Sequence, residues 1–289
     1  MSNDILDLLK ERQPTFSKGQ RLIAKYITQD YDKAAFMTAN RLGKTVGVSE
    51  STVVRFAVDL GFDGYPSMQK AMQEMVLNRL TSVQRIEVAN NRIGDQDVVS
   101  MVIHSDMEKL RQTDETISRD EFASAVNAIL QAKRIFILGV RSAAPLADFL
   151  GHYLNYMFRS VHVITGCGTS EMFEKIVGIN ADDVVIAFSF PRYSSATTKG
   201  AQYCRSTGAT VVGITDNRES PLGIYCDHVL CAKSGMVSLV DSLVAPLSIV
   251  NALIVAIAAK REKELHRTFE ALESIWDQYH VYEKQEDKK

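Results

Sequence analysis

The chain has 289 residues, of which 46% are hydrophobic and 24% are charged, and its mean hydropathy is −0.07. This composition is ordinary for a globular protein, and the length is sufficient for two domains that each bury a core. A net charge of −2 excludes a protein that binds nucleic acid through an overall basic surface. The first 80 residues hold 11 Lys and Arg against 9 Asp and Glu, compared with 22 against 26 in the rest, which is too small a difference to decide function.

The sequence predicts a cytoplasmic protein. Its beginning lacks the basic and apolar regions of a signal peptide. The most apolar stretch, residues 243–259, is interrupted by Pro246, Ser248 and Asn251, so it indicates a buried helix and not a membrane span. The cysteines are scattered without the spacing of a zinc site, which predicts free thiols. They are Cys167, Cys204, Cys226 and Cys231.

The pattern of apolar residues divides the chain into parts. Residues 1–77 are helical throughout, and a polar, helix-compatible connector follows at 78–119. Over residues 120–265, short apolar runs alternate with helical segments, which indicates an α/β domain with a five-stranded parallel sheet between helices. A charged amphipathic tail, 266–289, closes the chain. The predicted strands are 134–139, 161–165, 184–190, 210–215 and 228–231.

The strongest motif lies at residues 37–56. Thr38 is suited to cap a short helix, and Gly43 within that helix leaves room for a crossing partner. Gly47 supplies the positive φ that ends the helix in a tight turn, and Ser49 then caps a second helix. This arrangement favours a helix-turn-helix over a plain helical hairpin with a glycine turn.

The second helix of the motif has a polar side. Ser51 and Arg55 lie opposite its apolar residues, with Thr52 beside them near the helix N-terminus, where a recognition helix meets base edges and phosphates in the major groove. We therefore expect polar residues of both helices to contact double-stranded DNA. The expected DNA-binding residues are Arg41, Lys44, Ser49, Glu50, Ser51, Thr52 and Arg55.

Three segments of this region resemble the N-terminal domain of RpiR/MurR-family transcriptional regulators. They are AFMT at 35–38, VGVSESTVVRF at 46–56 and LGFDGY at 60–65. The resemblance implies that a SIS (sugar isomerase) domain with a flavodoxin-like sheet follows. It also implies a regulator whose operator affinity is modulated by a sugar phosphate or a related anionic metabolite.

The loops after the first and third predicted strands have the residues of an anion site. Segments 139–143 and 189–197 combine small and hydroxyl residues with the start of a helix, whose free N–H groups attract anions. Gly139 allows close backbone approach, and the serines donate hydrogen bonds without adding charge. Such loops suit a sugar phosphate, although glycine and serine also simply cap helices.

The SIS resemblance implies Gly-x-Gly-x-Ser after the first strand and Ser-x-Ser-Gly-x-Ser/Thr after the third. Here Arg141 replaces the second Gly and Ser142 comes one place early, while Pro191 and Arg192 replace Ser-Gly. Both arginines are expected at the switch point of the sheet, where they either bind the effector or fill its usual space and pair with acids across a dimer interface. The expected effector-binding residues are Gly139, Arg141, Ser142, Ser189, Arg192, Ser194, Ser195 and Thr197.

The alternative function is a sugar-phosphate isomerase or binding enzyme, since SIS domains also occur in enzymes. His152, Glu171 and Glu174 are candidates for the base of such a reaction, but no motif fixes their role. Both glutamates are also explained as acids in the first turn of a helix. We therefore expect a regulator with no catalytic residue, metal or cofactor.

One helix-turn-helix covers only a few base pairs, so specific binding normally uses two copies on a two-fold operator. The chain contains one such motif, and we expect a homodimer or a dimer of dimers with no membrane partner. The apolar helix 243–260 and the tail, with Trp276, Tyr279 and Tyr282, are the expected contact surface.

Overall fold

The computed structural model describes residues 5–79, 86, 97–166, 168–235 and 240–282. They form two compact units, and the division falls between Gln96 and Asp97. The first unit is helical and the second contains the sheet, which confirms the predicted fold class.

Helices with a shared apolar core build the first unit. Ile23, Leu42, Phe56 and Met68 are fully buried in it, and the ring of Phe16 packs edge-on against Phe56 at 5.3 Å. The core is therefore assembled from every part of the unit. Its helices are α1 (Ile5–Arg12), α2 (Lys18–Gln29), α3 (Tyr31–Ala34), α4 (Ala39–Val46), α5 (Glu50–Asp59) and α6 (Tyr65–Arg79).

The second unit alternates strands and helices. Its strands are β1 (Arg134–Gly139), β2 (Val161–Ile164), β3 (Asp183–Phe188), β4 (Thr210–Thr215) and β5 (His228–Cys231). Its helices are α7 (Val98–Thr116), α8 (Arg119–Gln131), α9 (Ala144–Leu154), α10 (Thr169–Ile176), α11 (Ser195–Ser206), α12 (Val244–Lys260) and α13 (Glu262–Tyr279). The second half of the expected connector 78–119 is thus α7, which is part of this unit, whereas most of its first half lies outside the described residues.

All described strands are parallel, in the order β2-β1-β3-β4-β5, which is the flavodoxin-like order implied by the resemblance. Gly139 at the end of β1 is aligned with Phe188 at the end of β3. The loops that follow these two strands therefore leave the same edge of the sheet side by side. The end of β3 was predicted two residues late, because Phe190 is also buried but lies in the loop.

Helices cover both faces of the sheet, as predicted. Along β1, Ile135 and Ile137 pack on the side of α8, α9 and α12, and Phe136 and Leu138 pack on the side of α10 and α11. This alternation is the period of two that a strand imposes on its side chains. A sheet buried on both faces accounts for the nearly uninterrupted apolar runs from which the strands were predicted.

The two C-terminal helices differ in burial. One side of α12 is buried in the core, while Val255 on its other side is 68% exposed, and α13 has no buried residue. In the described part of the chain no single helix is long and apolar enough to span a membrane, and only α12 and α13 taken together, bent by 96°, pass that test. Three of the predicted free thiols are confirmed, at Cys204, Cys226 and Cys231. The fourth, Cys167, lies outside the described residues.

Candidate nucleic-acid interface and ligand site

The predicted turn between α4 and α5 is present. The Thr38 side chain caps α4 by accepting a hydrogen bond from the Arg41 N–H at 3.2 Å, and α4 ends at Gly47 with φ +79°. A Cβ atom at Gly43 would lie 2.8 Å from the carbonyl oxygen of Val48, closer than real Cβ atoms come. Gly43 therefore allows the two helices to cross, and Gly47 adopts the left-handed conformation that other residues disfavour.

Helix α5 begins as the sequence predicts. The Ser49 Oγ accepts the Thr52 N–H at 3.2 Å and lies 2.9 Å from the Ser51 Oγ. Val53 and Phe56 are fully buried, so packing fixes which side of α5 remains outside. The hydroxyl groups at its first turn are thereby held together at the end of the helix that is positive by its dipole.

The expected DNA-binding residues occupy the outer side of this motif. Thr52 is half-buried, and its Cγ2 lies 3.5 Å from a Cβ position built on Gly19. Glu50 is exposed but accepts a hydrogen bond from the Asn40 side chain at 3.0 Å, so its carboxylate also joins α5 to α4. The remaining members of the set are all exposed: Arg41, Lys44, Ser49, Ser51 and Arg55.

Helix α6 supports the motif through contacts that sequence analysis missed. The Tyr65 hydroxyl and the Gln69 side chain both donate to the Met37 carbonyl oxygen at 2.7 Å, and the Gln73 side chain donates to the Ala35 carbonyl oxygen at 3.0 Å. Burial raises the pKa of Tyr65 to about 12, so its hydroxyl remains a donor at neutral pH. The spacing of four residues between these polar side chains on one helix was a detectable signal.

The two unusual arginines have unusual backbone conformations. Arg141 has φ +58° and Arg192 has φ +64°, and only His280 joins them among the described non-glycine residues with positive φ. Both arginines stand where the resembled motifs have glycine, the residue that adopts this conformation without strain. Each such position costs about 1–3 kcal/mol.

Two hydroxyl groups close to these turns are buried without a partner. Ser189 follows β3 directly, Thr197 lies in the first turn of α11, and they are 2% and 0% exposed. Within the described residues, neither side-chain oxygen has a hydrogen-bond partner. A buried hydroxyl without a partner costs about 1–3 kcal/mol. Because both oxygens are enclosed, a ligand can reach them only if the surrounding residues rearrange.

The other expected effector-binding residues have different surroundings. Ser142 and Ser195 are exposed, and the Ser194 Oγ caps α11 by accepting the Thr197 N–H at 3.4 Å. Gly139 is buried, and a Cβ atom there would lie 2.8 Å from the Ala147 Cβ. Gly139 therefore has a role in packing β1 against α9 in addition to any ligand contact.

A half-buried pair missed by the sequence analysis ties the β3 loop to the end of β4. The Tyr193 hydroxyl donates to the carboxylate of Asp216, with both oxygens at 2.9 Å, and the Asn217 side chain donates to the same carboxylate at 3.0 Å. Burial, followed by the charge of Asp216, raises the pKa of Tyr193, so the hydroxyl stays protonated. Tyr193 directly follows Arg192, and the pair therefore holds that strained turn in place.

The candidate isomerase bases are engaged elsewhere. His152 Nε2 lies 3.0 Å from the Tyr156 hydroxyl, and Glu171 forms an ion pair with Lys175 at 2.8 Å. Glu174 accepts a hydrogen bond from the Ser170 hydroxyl at 3.3 Å. Each of these contacts is made with a residue four positions away along the chain, and no described contact joins His152 to either glutamate.

Comparison with known proteins supports the presence of two domain types in this chain. Residues 3–78 match the rpiR-family helix-turn-helix domain and residues 128–256 match the SIS domain. An uncharacterized HTH-type transcriptional regulator of Clostridium perfringens is 24% identical over 232 residues, covering 80% of this chain and 82% of its own. Another from Caldanaerobacter subterraneus is 21% identical over 276 residues, covering 92% and 95%.

Solved structures agree with the fold. The sugar isomerase domain of an RpiR transcription factor from Sphaerobacter thermophilus has a TM-score of 0.59 and 27% identity, covering 62% of this chain and 99% of that one. The Vibrio vulnificus NanR protein, complexed with ManNAc-6P, has a TM-score of 0.57 and 22% identity, covering 93% and 97%. With both domain types present in the order that the sequence resemblance implies, the chain belongs to the RpiR family of HTH-type transcriptional regulators.

Proposed function

We propose that this protein binds an operator through α4 and α5, and that a sugar phosphate or related anionic metabolite bound by the SIS domain changes its operator affinity. The observation that carries the proposal is the exposed, capped N-terminus of α5. There Ser51 and Arg55 are presented on a helix whose opposite side is fully buried. Such a helix can enter the major groove without losing any core contact.

The proposed effector site is the edge of the sheet where β1 and β3 end. Ser142 and Ser195 are exposed there, the N-terminus of α11 supplies backbone N–H groups, and two arginines add positive charge. NanR, a protein of the same fold, was solved with a sugar phosphate, and we propose the same ligand class here. The hydroxyl and backbone N–H groups of these loops donate hydrogen bonds, which the oxygens of a phosphate accept.

We propose a regulator and not an isomerase, since His152, Glu171 and Glu174 each contact a residue four positions away along the chain. Operator binding places the protein in the cytoplasm. The proposed functional division is 1–77 for DNA, 78–119 as connector, 120–265 for the effector and 266–289 as tail, with the α7 part of the connector packed in the second unit.

We also propose a homodimer or a dimer of dimers, because one motif per chain needs a second on a two-fold operator. The supporting observations are the exposed side of the apolar helix α12, which includes Val255, and the absence of any buried residue in α13. An apolar helix face of this kind is normally covered in the assembled protein.

The test is a titration of operator DNA, first selected from random duplexes, with and without a panel of sugar phosphates at fixed salt. Arg55→Ala should weaken operator binding by about 1–3 kcal/mol if Arg55 contacts a base, and random DNA should be affected much less. At least one sugar phosphate should change the operator affinity.

Two controls sharpen this titration. Lys25→Ala removes an exposed charge of the same unit outside the motif and should have little effect on the preference for operator DNA. A duplex with only one half-site should bind far more weakly than the full operator. Equal, small losses on operator and random DNA would limit Arg55 to a phosphate contact, and an operator affinity unaffected by every sugar phosphate would contradict the sensing role.

A further inference from the structure

We infer that Val54 contacts the C5 methyl group of a thymine and thereby contributes to the choice of operator sequence. The inference rests on the proposed function, because it adds one base contact to the side of α5 that is proposed to enter the major groove. The proposed function concerns operator binding through polar groups such as Ser51 and Arg55, whereas the inference concerns an apolar contact beside them.

The packing of α5 leaves one of its sides open. Val53, Phe56 and Ala57 are fully buried on the inner side. One flank is closed by α2, where the Gln20 side chain donates to the Asp59 carboxylate at 2.6 Å. The exposed residues that take part in none of these contacts are spaced by three and four positions, so they form one continuous surface. They are Ser51, Val54, Arg55 and Val58.

Val54 is an apolar side chain between two polar ones on this surface. It follows Ser51 by three residues, directly precedes Arg55, and is 39% exposed. An exposed valine stabilises a helix less than alanine, lysine or glutamate does, because its branched side chain loses rotational freedom. Neither the core nor the helix therefore accounts for a valine at this position. An apolar contact that forms only in the complex with DNA accounts for it.

The chemistry of the major groove defines the partner of this side chain. Thymine is the base that presents a methyl group there, and the other groups on the base edges are hydrogen-bond donors and acceptors. Valine has no polar side-chain atom, so it distinguishes bases through that methyl group. Val54 also lies in the first half of α5, and the N-terminal residues of a recognition helix are those that contact base edges.

The experiment combines one change in the protein with one change in the DNA. It uses the full chain and the operator selected from random duplexes. Each thymine of a half-site is replaced in turn by uracil, together with the equivalent thymine of the other half-site. Uracil lacks only the C5 methyl group and keeps every hydrogen-bonding group of thymine. Affinities are measured at fixed salt for the wild type, Val54→Ala and Val58→Ala. The last is the matched control, because Val58 is an exposed valine of the same helix, one turn further from its N-terminus.

At one thymine position, uracil should weaken binding by the wild type roughly tenfold, because a lost methyl contact reduces affinity about threefold to fourfold in each half-site. Val54→Ala should bind the unmodified operator more weakly and should no longer distinguish uracil from thymine at that position. Val58→Ala should keep the wild-type ratio there. The melting temperature of the first unit should not fall in Val54→Ala, because the side chain is exposed and alanine favours a helix.

Three results would overturn the inference. If no uracil substitution weakens binding by the wild type, no thymine methyl group is contacted. If the uracil effect persists in Val54→Ala, it comes from another residue or from the shape of the DNA. If Val54→Ala and Val58→Ala reduce the effect equally, Val54 has no specific role. Each of these results leaves the proposed function intact, because the operator is still bound. If no sequence is enriched from random duplexes, the proposed function fails together with the inference.

Discussion

The two edges of the parallel sheet are built from similar residues in opposite ways. At the amino edge, β1 and β3 begin with Arg134 and Asp183, which are aligned neighbours joined by two hydrogen bonds of 2.9 and 2.6 Å. At the carboxyl edge, the same strands lead to Arg141 and Arg192 in left-handed turns and to the unpartnered hydroxyl of Ser189. The amino edge has a matched ion pair, and the carboxyl edge has backbone strain and a buried hydroxyl without a partner among the described residues.

This difference assigns separate tasks to the two edges. Residues that serve only stability can be selected for good pairing, and Asp183, whose side chain is 1% exposed, is an example. Residues that serve binding must remain able to form a new contact with the ligand, and backbone strain is often found at such sites. The following predictions test whether stability and ligand response can be changed separately at the two edges.

The largest effect is expected at the amino edge. Asp183→Asn removes the charge that pairs with Arg134 and should lower the free energy of unfolding of the second unit by about 3 kcal/mol. Ligand response should persist in the folded fraction, because the carboxyl edge is untouched. Chemical denaturation followed by circular dichroism measures the loss.

The pH dependence of this loss is the control. Burial alone raises the pKa of Asp183, but the Arg134 guanidinium and the Asn180 N–H outweigh it, and the pKa lies below its ordinary value. The pair therefore stabilises the fold above the unfolded-state pKa of about 3.9 and ceases to do so as the pH falls through the folded-state value. The gap between wild type and Asp183→Asn should be full at pH 7 and should narrow below about pH 4. A gap that persists there would mean that packing, and not the charge, is responsible.

A smaller effect is expected where the β3 loop is tied to β4. Tyr193→Phe keeps the ring but removes the hydroxyl that donates to Asp216, and it should cost about 1.5–3 kcal/mol. It should also change effector affinity, because the turn at Arg192 loses its neighbouring anchor. Thermal melts with and without effector measure both quantities.

Tyr203→Phe is the matched control for this variant. The Tyr203 hydroxyl donates to a neutral acceptor, the Val177 carbonyl oxygen, at 3.0 Å. Its loss should cost only about 0.5–1.5 kcal/mol and leave effector affinity unchanged. If both variants affect effector binding equally, the Tyr193–Asp216 contact has no specific role in the site.

The smallest effect on stability, and of opposite sign, is expected at an unpartnered hydroxyl. Thr197→Val replaces the buried hydroxyl with a methyl group of similar size, and it should leave the free energy of unfolding unchanged or raise it by up to about 1 kcal/mol. The same variant should bind the effector more weakly. Thr113→Val is the comparison, because the Thr113 Oγ1 accepts the Lys233 N–H at 2.8 Å and its loss leaves that donor without a partner. A similar loss of stability in both variants would show that the Thr197 hydroxyl is in fact matched in solution.

Much of the secondary structure could be predicted from sequence, because it depends on local patterns of residue types. The strand positions follow from apolar runs, and the turn at Gly47 and the caps at Thr38 and Ser49 follow from residue types that favour one conformation. These features depend on neighbours a few residues away, so one sequence is sufficient to find them. Residue type did not predict the backbone conformation of Arg141, because an arginine alone gives no indication of positive φ.

The contacts that could not be predicted from sequence join residues that are far apart in the chain. Tyr193 and Asp216 lie 23 residues apart and meet only because β3 and β4 are neighbours. Whether the Ser189 hydroxyl finds a partner depends on every element around it. The loops after the first and third strands were examined as candidate sites, and the same rule applied to the loop after β4 would have included Asp216.

Helix α6 holds the segment just before α4 in position. Its three polar side chains, Tyr65, Gln69 and Gln73, are bonded to main-chain carbonyl oxygens of Met37 and Ala35, just before α4 begins. A rotation or shift of α6 must therefore either displace the start of α4 or break these bonds. The position of α6 therefore fixes the start of α4, the first helix of the proposed DNA-binding motif.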